Sequence, residues 1–415
     1  MKGVLVIIDG MGDLPLKIID DKTALEAAKM PNLDFLAARG EMGYMYPVKP
    51  GFVPGSDEAI VSIFGNNLEN SSRGQLEAIG SGLDLEDGDL ALRVNFATID
   101  SLKNGNVIDR RVGRTLTTKE ANLLAKSLNQ IKMSCKFEFK ATIQHRGALV
   151  FREGVFSGNI TGNDPTYSTG ATKEMEKINL SKPKDDSENS RYSANIVNEF
   201  VEKAYEVLNN HPVNKNRRNR GLMPANYLLV RGAGIERPKL KKYPKWISPS
   251  YMPLEIGFSK VCDMTVKTFT YPKLKTLDAY DNLYDGLKKA CKFNIKTLKK
   301  YHSKFDYAYV HIKETDLPGH DNKVMEKIFM LEYIDQTFFK FLREFVPRNE
   351  IKVVVTADHS TPCKLKNHSA DPVPVLLYNN SSIPRATKFC EKEAKKGTLG
   401  RIMGQDLLKV VGFNK

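Results

Sequence analysis

The sequence has few of the residues and runs that mark several large classes of protein. It contains only five cysteines in 415 residues, and their odd number and wide spacing argue against a disulfide framework or a cysteine-based zinc site. No apolar run approaches the roughly 18 residues of a membrane span. The opening residues, MKGVLVIIDGMGD, do not predict a signal peptide, because the apolar stretch is short and Asp9 interrupts it. We therefore expect a reduced, cytoplasmic protein without a membrane partner.

The composition that is present is typical of a globular protein of about two domains. Hydrophobic residues make up 41% and charged residues 27% of the chain. A length of 415 residues is too great for one ordinary core. The formal net charge of +14 is uneven, with −7 in residues 1–88, +12 in 89–245 and +9 in 246–415. The basic regions would attract nucleic acid or a small anionic substrate, and composition does not choose between these partners.

Apolar runs that end in polar residues predict a parallel sheet. The first run, GVLVIIDG, is rich in β-branched residues and ends in Asp9. Three similar runs occupy residues 307–316, 352–360 and 372–380. Helical patterns lie between these runs, at residues 23–40, 277–293 and 322–345, with Gly40 in the position of a helix C-cap. The alternation of strands and helices predicts a doubly wound α/β domain.

The middle of the chain has a different pattern and predicts an inserted α+β domain. Short alternating segments such as FEFKATI and GALVFREG predict strands, and the polar residues 181–191 and 209–221 predict exposed loops. We therefore expect residues 1–88 and 246–415 to form a discontinuous core, with residues 89–245 inserted as a cap.

Four polar clusters lie at or just after predicted strand ends, where open α/β sheets bind ligands. They contain three of the seven histidines in the chain. The clusters are Asp9, Asp316 with His320, Asp358 with His359, and His368. Mixed carboxylate and imidazole ligands suit Mn²⁺ or Zn²⁺, whereas Mg²⁺ prefers oxygen ligands. Two such ions about 4 Å apart could hold a phosphoryl group during in-line displacement.

Ser56 is the candidate nucleophile. It follows the Pro54–Gly55 turn in KPGFVPGSDEAIVSIFG, and Asp57 is placed to cap the helix that EAIVSIF predicts. A hydroxyl at a helix N-terminus meets free N–H groups and the positive end of the helix dipole, which together favour phosphate. A bound metal would lower the pKa of that hydroxyl and make it a nucleophile.

Each of these residues also has an ordinary structural interpretation. Ser56 could be only an N-cap, and Asp9 could simply hold a turn. His320 could be a solvated loop residue, and His359 and His368 could be surface histidines. Taken together, however, six metal-type residues placed at strand ends, with Ser56 as a seventh candidate ligand, favour a metal site.

The combined motifs resemble those of the archaeal-type cofactor-independent phosphoglycerate mutases, which belong to the alkaline phosphatase superfamily. The similar segments are DGMGD after the first strand, PGSD, TDLPGHD, DHSTPCKLKNHSADPVP, LEAIGSGLDLEDGDLALRVNFAT, DRRVGR, HRGALVFR and NYLLVRGAG. The resemblance implies an alkaline-phosphatase-like doubly wound core with an inserted α+β cap. It also implies an isomerase of glycolysis and gluconeogenesis that interconverts 3-phosphoglycerate and 2-phosphoglycerate through a phosphoserine, without 2,3-bisphosphoglycerate.

The resemblance assigns roles to individual residues. It implies two divalent ions, usually Mn²⁺, with Zn²⁺, Co²⁺ or Mg²⁺ as alternatives. One ion would be held by Asp9, Ser56, Asp358 and His359, and the other by Asp316, His320 and His368. Ser56 would take the phosphoryl group. The candidates for binding the phosphoglycerate are Asp109, Arg110, Arg111, Arg114, Arg146, Asp164 and Arg231, although any one of these arginines could be a surface residue.

Three segments depart from the family's pattern. GNNLENSS (65–72) stands where the family has a GYDP-like segment, NDPTYS (163–168) lacks a histidine, and the lysine-rich residues 240–275 have no clear match. These departures leave open a metal-dependent phosphatase, or a mutase of the same superfamily with another phosphorylated substrate. A non-enzymatic nucleic-acid binder that uses KNRRNR (215–220) and KLKKYPK (239–245) is disfavoured, because it would not need the metal-type residues and the neighbouring aromatics are few.

Overall fold

Two β-sheets organise the chain in the computed structural model, which describes residues 1–165, 177–380 and 386–413. The strands are β1 Gly3–Ile8, β2 Gly40–Tyr46, β3 Leu90–Ile99, β4 Val107–Asp109, β5 Lys136–Ala141, β6 Arg146–Arg152, β7 Tyr227–Gly234, β8 Trp246–Pro249, β9 Thr265–Lys267, β10 Tyr307–Ile312, β11 Lys352–Thr356, β12 Val373–Tyr378 and β13 Gly400–Met403. The helices are α1 Ala24–Ala27, α2 Pro31–Ala37, α3 Ser56–Ile63, α4 Arg73–Ser81, α5 Thr118–Leu128, α6 Glu188–Asn210, α7 Pro212–Asn219, α8 Pro253–Val261, α9 Ala279–Tyr301, α10 Asp316–His320, α11 Val324–Ile334, α12 Lys340–Arg348, α13 Glu391–Lys396 and α14 Leu407–Val410.

The larger sheet has the strand order β13-β2-β12-β11-β1-β10-β8-β9. From β11 to β9 all neighbouring strands are parallel, whereas β12 is antiparallel to both β11 and β2. Every residue of β1, β10 and β12 is buried, as expected for strands covered on both faces. The predicted α/β class is therefore confirmed, but β12 does not join the parallel set that its apolar run predicted.

The predicted helices exist with changed boundaries. Pro31 begins a new helix, so the pattern at 23–40 becomes α1 and α2, and Gly40 opens β2 instead of capping a helix. The pattern at 322–345 becomes α11 and α12, joined by a π-helical turn at Asp335–Phe339. In the described ranges, no helix combines the length and the apolar character that crossing a bilayer would require.

The smaller sheet is built from residues 90–234 and is antiparallel throughout. Strand β3 lies at its centre, with β6 and β7 on either side, β5 beyond β6, and β4 pairing with the far end of β3. The long helix α6 was not anticipated, and most of the loop predicted at 209–221 is helix α7. Arg217 of that basic segment is fully buried and binds Glu120 at 3.1 Å, because a buried cation needs a partner.

Helix α4 joins the two sheets. It packs on β3 and β7 of the smaller sheet and on α8, which belongs to the larger sheet's layer. The contact with α8 is made backbone to backbone: a Cβ at Gly80 would overlap the Pro253 carbonyl, and one at Gly257 would overlap the Leu76 carbonyl. This close crossing fixes one side of the cleft that separates the sheets.

Candidate active site

The sheet topology brings the predicted metal ligands to one edge. Strands β11, β1 and β10 are parallel neighbours, so their carboxyl ends lie side by side. Asp9 directly follows β1, Asp358 follows β11 after one residue, and Asp316 begins α10 shortly after β10. His368 precedes β12, and because β12 is antiparallel to β11, its amino end lies at this same edge. The antiparallel strand therefore explains how His368 reaches the site.

Asp9, Asp358 and His359 form the first cluster, with ligand atoms within 4.8 Å of one another. His359 Nε2 lies 3.2 Å from Asp9 Oδ1 and 3.5 Å from Asp358 Oδ2. The hydroxyl of Ser56 lies 3.4 Å from the same nitrogen. All four residues are buried, so the cluster is largely withdrawn from water.

Asp316, His320 and His368 form the second cluster, also within 4.8 Å. Asp316 lies 3.3 Å from His320 Nε2 through one oxygen and 3.6 Å from His368 Nε2 through the other. The ring of His368 stacks on the ring of His359, with the centroids 3.7 Å apart. The two clusters are therefore immediate neighbours.

Each of the three histidines directs Nε2 into the site and uses Nδ1 elsewhere. The Nδ1 partners are the Lys366 carbonyl for His320 at 3.1 Å, the Pro54 carbonyl for His368 at 2.8 Å and the Thr361 hydroxyl for His359 at 3.0 Å. A carbonyl can only accept, so Nδ1 of His320 and of His368 carries the proton. Outer partners of this kind orient metal-binding histidines and leave the other nitrogen available to the ion.

The first cluster fits a cation. Asp9 Oδ1 and Asp358 Oδ2 are buried and accept no hydrogen bond from the residues that the structure describes. Burial would raise the pKa of Asp358, but the neighbouring His359, His311 and Lys313 hold it well below its usual range. The carboxylate is therefore ionised, and a buried carboxylate requires a positive partner.

Lys313 supplies positive charge that the sequence interpretation missed. Its Nζ lies 2.5 Å from Asp9 Oδ2, 2.8 Å from Glu255 Oε1 and 3.9 Å from Asp358 Oδ2. It also donates to the Ser56 hydroxyl at 3.3 Å. Lys313 lies just before Asp316 in the same polar segment, which was the available signal, whereas Glu255 on α8 belongs to no motif.

Ser56 begins α3 but does not cap it. Gly55 is the N-cap, and its N–H donates to the carboxylate of Glu58 at 2.8 Å. Asp57, which was expected to cap the helix, instead pairs with Arg73 at 2.9 Å. The N-cap interpretation of Ser56 is therefore wrong, and its hydroxyl faces the cleft.

The cleft between the sheets has a volume of about 180 Å³ and is lined by arginines. All five predicted arginines line it, namely Arg110, Arg111, Arg114, Arg146 and Arg231. The guanidinium groups of Arg111 and Arg146 form no hydrogen bond or ion pair with any residue in the described part of the chain. Burial and the neighbouring arginines lower the pKa of Arg111 to about 10, which leaves it charged near neutral pH. These two groups are available to bind an anion.

Asp109 and Asp164 lie behind the arginines and do not line the cleft. Asp109 accepts the backbone N–H groups of Arg111 at 2.7 Å and Gly113 at 2.9 Å. Asp164 is buried and accepts from the guanidinium of Arg110 at 2.6 to 3.0 Å. The remainder of the NDPTYS segment, residues 166–168, lies outside the described residues, so the absence of a histidine there has no structural description.

Polar contacts cross the cleft. Arg114 of the smaller sheet's unit binds Asp321 through both nitrogens, at 2.5 and 2.9 Å, and Tyr280 donates to the same carboxylate at 2.9 Å. Gln144 donates to Asn282 of α9 at 2.7 Å. Arg114 is therefore already paired with a residue adjacent to His320.

The cleft floor contains a charged network that was also missed. Glu77 of α4 lies 3.0 Å from Arg73 and 3.2 Å from Arg93 of β3. Burial would raise the pKa of Glu77, but Arg93 and Arg73 lower it below its usual value. These residues come from separate segments without motif character, so only the tertiary structure reveals their contact.

Comparison with known proteins gives consistent matches. A family model described as 2,3-bisphosphoglycerate-independent phosphoglycerate mutase matches residues 37–214. A protein of that name from Thermococcus kodakarensis is 39% identical over 415 residues, covering 99% of this chain and 96% of that protein. The solved structure of a Pyrococcus horikoshii protein is 32% identical, with a TM-score of 0.74, and covers 100% of this chain and 98% of that one. A cofactor-independent phosphoglycerate mutase from Thermoplasma acidophilum is 27% identical, with a TM-score of 0.58 and 99% of both chains covered.

Proposed function

The chain belongs to the family of 2,3-bisphosphoglycerate-independent phosphoglycerate mutases, and from this membership we propose that it interconverts 3-phosphoglycerate and 2-phosphoglycerate through a phosphoserine at Ser56. The reaction is an isomerisation and belongs to glycolysis and gluconeogenesis. The observation that supports Ser56 as the nucleophile is the position of its hydroxyl. It lies 3.4 Å from His359 Nε2 and 3.3 Å from Lys313 Nζ, at the junction of the carboxylate cluster and the arginine-lined cleft.

Two divalent ions are part of the proposal. The first would be held by Asp9, Ser56, Asp358 and His359, and the second by Asp316, His320 and His368. When bound, such ions lower the pKa of a coordinated hydroxyl and stabilise charge on a transferring phosphoryl group. The mixture of carboxylate and imidazole ligands favours Mn²⁺, with Zn²⁺, Co²⁺ and Mg²⁺ as alternatives.

The chain's own residues would then direct the transfer. Lys313 donates to Ser56 Oγ and holds it beside the first cluster. The phosphate ester bond of the substrate breaks as the bond from phosphorus to Ser56 Oγ forms, and overall the Ser56 proton passes to the released glycerate oxygen. Glycerate then turns within the cleft, and the reverse exchange at its other hydroxyl gives the product. Arg111 and Arg146 would hold the anionic groups through both stages.

The proposed domains would have different roles in the reaction. Residues 1–88 and 246–415 would form the metal-binding core, and residues 89–245 a substrate-binding cap. A cap over the cleft would exclude water, so that the phosphoserine returns its phosphoryl group to glycerate instead of to water. We place the protein in the cytoplasm with a small-molecule substrate and no nucleic-acid partner, which agrees with the burial of Arg217 in its most basic segment.

A coupled assay tests the proposal. Conversion of 3-phosphoglycerate is followed through enolase without 2,3-bisphosphoglycerate, before and after chelation and after Mn²⁺ is returned. We expect turnover that chelation abolishes and Mn²⁺ restores. Full turnover in verified metal-free protein would overturn the ion requirement, and release of inorganic phosphate in place of isomerisation would favour a phosphatase.

A further inference from the structure

We propose that the hydroxyl of Thr361 positions one ligand of each ion site at the same time, so that its removal weakens ion binding at both. The inference rests on the two ligand sets proposed above. Thr361 Oγ1 lies 3.0 Å from Nδ1 of His359, in the first set, and 2.7 Å from Oδ1 of Asp316, in the second. Thr361 is fully buried. Its hydroxyl is therefore a direct link between the two clusters, although it belongs to neither.

The number of protons assigns a direction to each bond. A hydroxyl has one hydrogen, and the carboxylate of Asp316 can only accept, so Thr361 donates to Asp316. Towards His359 the hydroxyl can then only accept, so Nδ1 of His359 must carry the proton. The remaining nitrogen, Nε2, faces Asp9 and Ser56 and is left to bind an ion. One hydroxyl thus selects the histidine tautomer and orients the carboxylate.

The backbone holds this hydroxyl in place. Thr361 N donates to the Gly12 carbonyl at 3.1 Å, and the Thr361 carbonyl accepts from Lys327 Nζ at 3.0 Å. Lys327 is itself fully buried, donates to the Gly12 carbonyl at 3.0 Å and pairs with Asp13 at 3.2 Å. The segments after β1 and β11 are therefore fastened to α11 around Thr361.

Glycine allows the segment after β1 to approach Thr361 closely. Gly10 has a φ of +60°, and a Cβ there would lie 2.5 Å from Thr361 Oγ1 and 2.7 Å from Asp316 Oδ1. The space beside the hydroxyl is thus filled by backbone and leaves no room for another side chain. A valine at position 361 would keep the shape of threonine but provide no donor or acceptor to either ligand.

Thr356 provides a matched control. It lies on β11, is fully buried and donates its hydroxyl to the Pro374 carbonyl at 3.0 Å, without contact to a ligand set. Thr356→Val therefore removes a buried hydroxyl from the strand that leads to Thr361, and Thr361→Ser keeps the hydroxyl at the tested position. If losing a buried hydroxyl only loosened this part of the chain, Thr356→Val would weaken ion binding as well. If Thr361 has the proposed role, Thr356→Val leaves ion binding unchanged.

The test measures Mn²⁺ binding at each site separately. In a His320→Ala background the first set remains complete, and in an Asp9→Ala background the second set remains. Metal-free proteins are titrated with Mn²⁺ by calorimetry, and free Mn²⁺ is measured by electron paramagnetic resonance. We expect Thr361→Val to weaken binding roughly 10- to 100-fold in both backgrounds. Thr361→Ser and Thr356→Val should bind as their parents do.

The outcomes separate this inference from the proposed function. Unchanged affinity of the Thr361→Val protein in either background, or an equal loss in Thr356→Val, would overturn the role of Thr361 while two-ion binding stands. Absence of Mn²⁺ binding to the unmodified protein would overturn the ligand sets themselves. Circular dichroism checks folding, and Thr361→Ala, which removes the same hydroxyl, replaces the valine variant if that variant does not fold.

Discussion

The position of Ser56 separates its chemical role from its structural one. Because Gly55 is the N-cap of α3, removing the Ser56 hydroxyl removes no helix cap. We expect Ser56→Ala to lower the free energy of unfolding by about 1 kcal/mol or less, through its lost hydrogen bonds, and to abolish mutase turnover. Mass spectrometry of protein quenched with substrate should find phosphate on the Ser56 peptide of the unmodified protein only. Near-normal turnover by a folded, metal-loaded variant would exclude the phosphoserine.

Arg111 and Arg146 are the residues whose loss should affect the substrate most directly. Their guanidinium groups line the cleft and have no partner among the described residues, so an anionic group can bind them without breaking an existing pair. Replacing either by Ala should reduce transition-state stabilisation by about 2–4 kcal/mol, measured as kcat/KM. Arg191→Ala, at an exposed cap position, is the control and should have no effect. Unchanged kcat/KM in both cleft variants would remove these arginines from the site.

The sequence identified the residues of both clusters as candidate metal ligands because each follows or precedes a buried strand within a short polar motif. Lys313, Glu255 and Thr361 were missed for different physical reasons. Lys313 and Thr361 lie inside recognised motifs, but their contacts with Ser56 and Asp316 depend on the exact placement of neighbouring segments. Glu255 lies on a helix far along the chain, and only tertiary packing brings it to the site.

At the scale of elements, the residue pattern of a fully buried strand does not show whether the strand is parallel or antiparallel to its neighbours. Strands β10, β11 and β12 are all apolar and almost wholly buried, yet β12 alone is antiparallel. A strand covered on both faces reads as a continuous apolar run in either direction, so its pattern could not show the difference. Helix α7 was missed because its polar residues read as a loop, whereas Asn214 and Arg217 are buried through specific hydrogen bonds.

Glu391, the first residue of α13, should make the free energy of unfolding depend on pH. Burial raises the pKa of Glu391 to about 7, although Thr23 and the Asp13 N–H hydrogen-bond to it. The folded state therefore binds this proton more tightly than the unfolded chain, whose carboxyl has an ordinary pKa near 4.5. The protonated Glu391 carboxyl therefore stabilises the fold fully below pH 4.5, and this stabilisation is lost as pH rises through about 7.

The free energy of unfolding should respond accordingly. Relative to Glu391→Gln, the unmodified protein should lose about 1–2 kcal/mol between pH 5 and pH 8, measured by denaturant unfolding with chelator present. Other titrating groups cancel in the comparison. Glu393→Gln, on the same helix and paired with Lys396 at 3.7 Å, should show no such difference. A parallel pH dependence of the Glu391 variant would contradict this assignment.

At the scale of the whole molecule, the site exists only where two separately built sheets meet. The larger sheet provides the carboxylates and histidines, and most of the cleft's arginines come from the smaller sheet and its loops. The change from long apolar runs to short alternating strands predicts a division at about residues 89 and 245, and these boundaries stay a prediction. The fixed crossing of α4 and α8 was not predictable, because two glycines in ordinary helical sequence do not show that they face each other.

The pair formed by Arg114 and Asp321 joins the two units across the cleft, and this contact gives the last prediction. Arg114 was expected to bind substrate, but its guanidinium already engages Asp321 at 2.5 and 2.9 Å. If its role is to hold the units together, Arg114→Ala and Asp321→Asn should each lower kcat/KM by about tenfold, and the double variant by no more than either single one. The control pair Arg152 and Asp89 lies within the smaller unit, so breaking it should reduce stability and leave kcat/KM unchanged. A large loss of kcat/KM with Arg114→Ala but none with Asp321→Asn would instead show that Arg114 binds the substrate. Only a direct contact with the anion would make activity depend on the arginine and not on its partner.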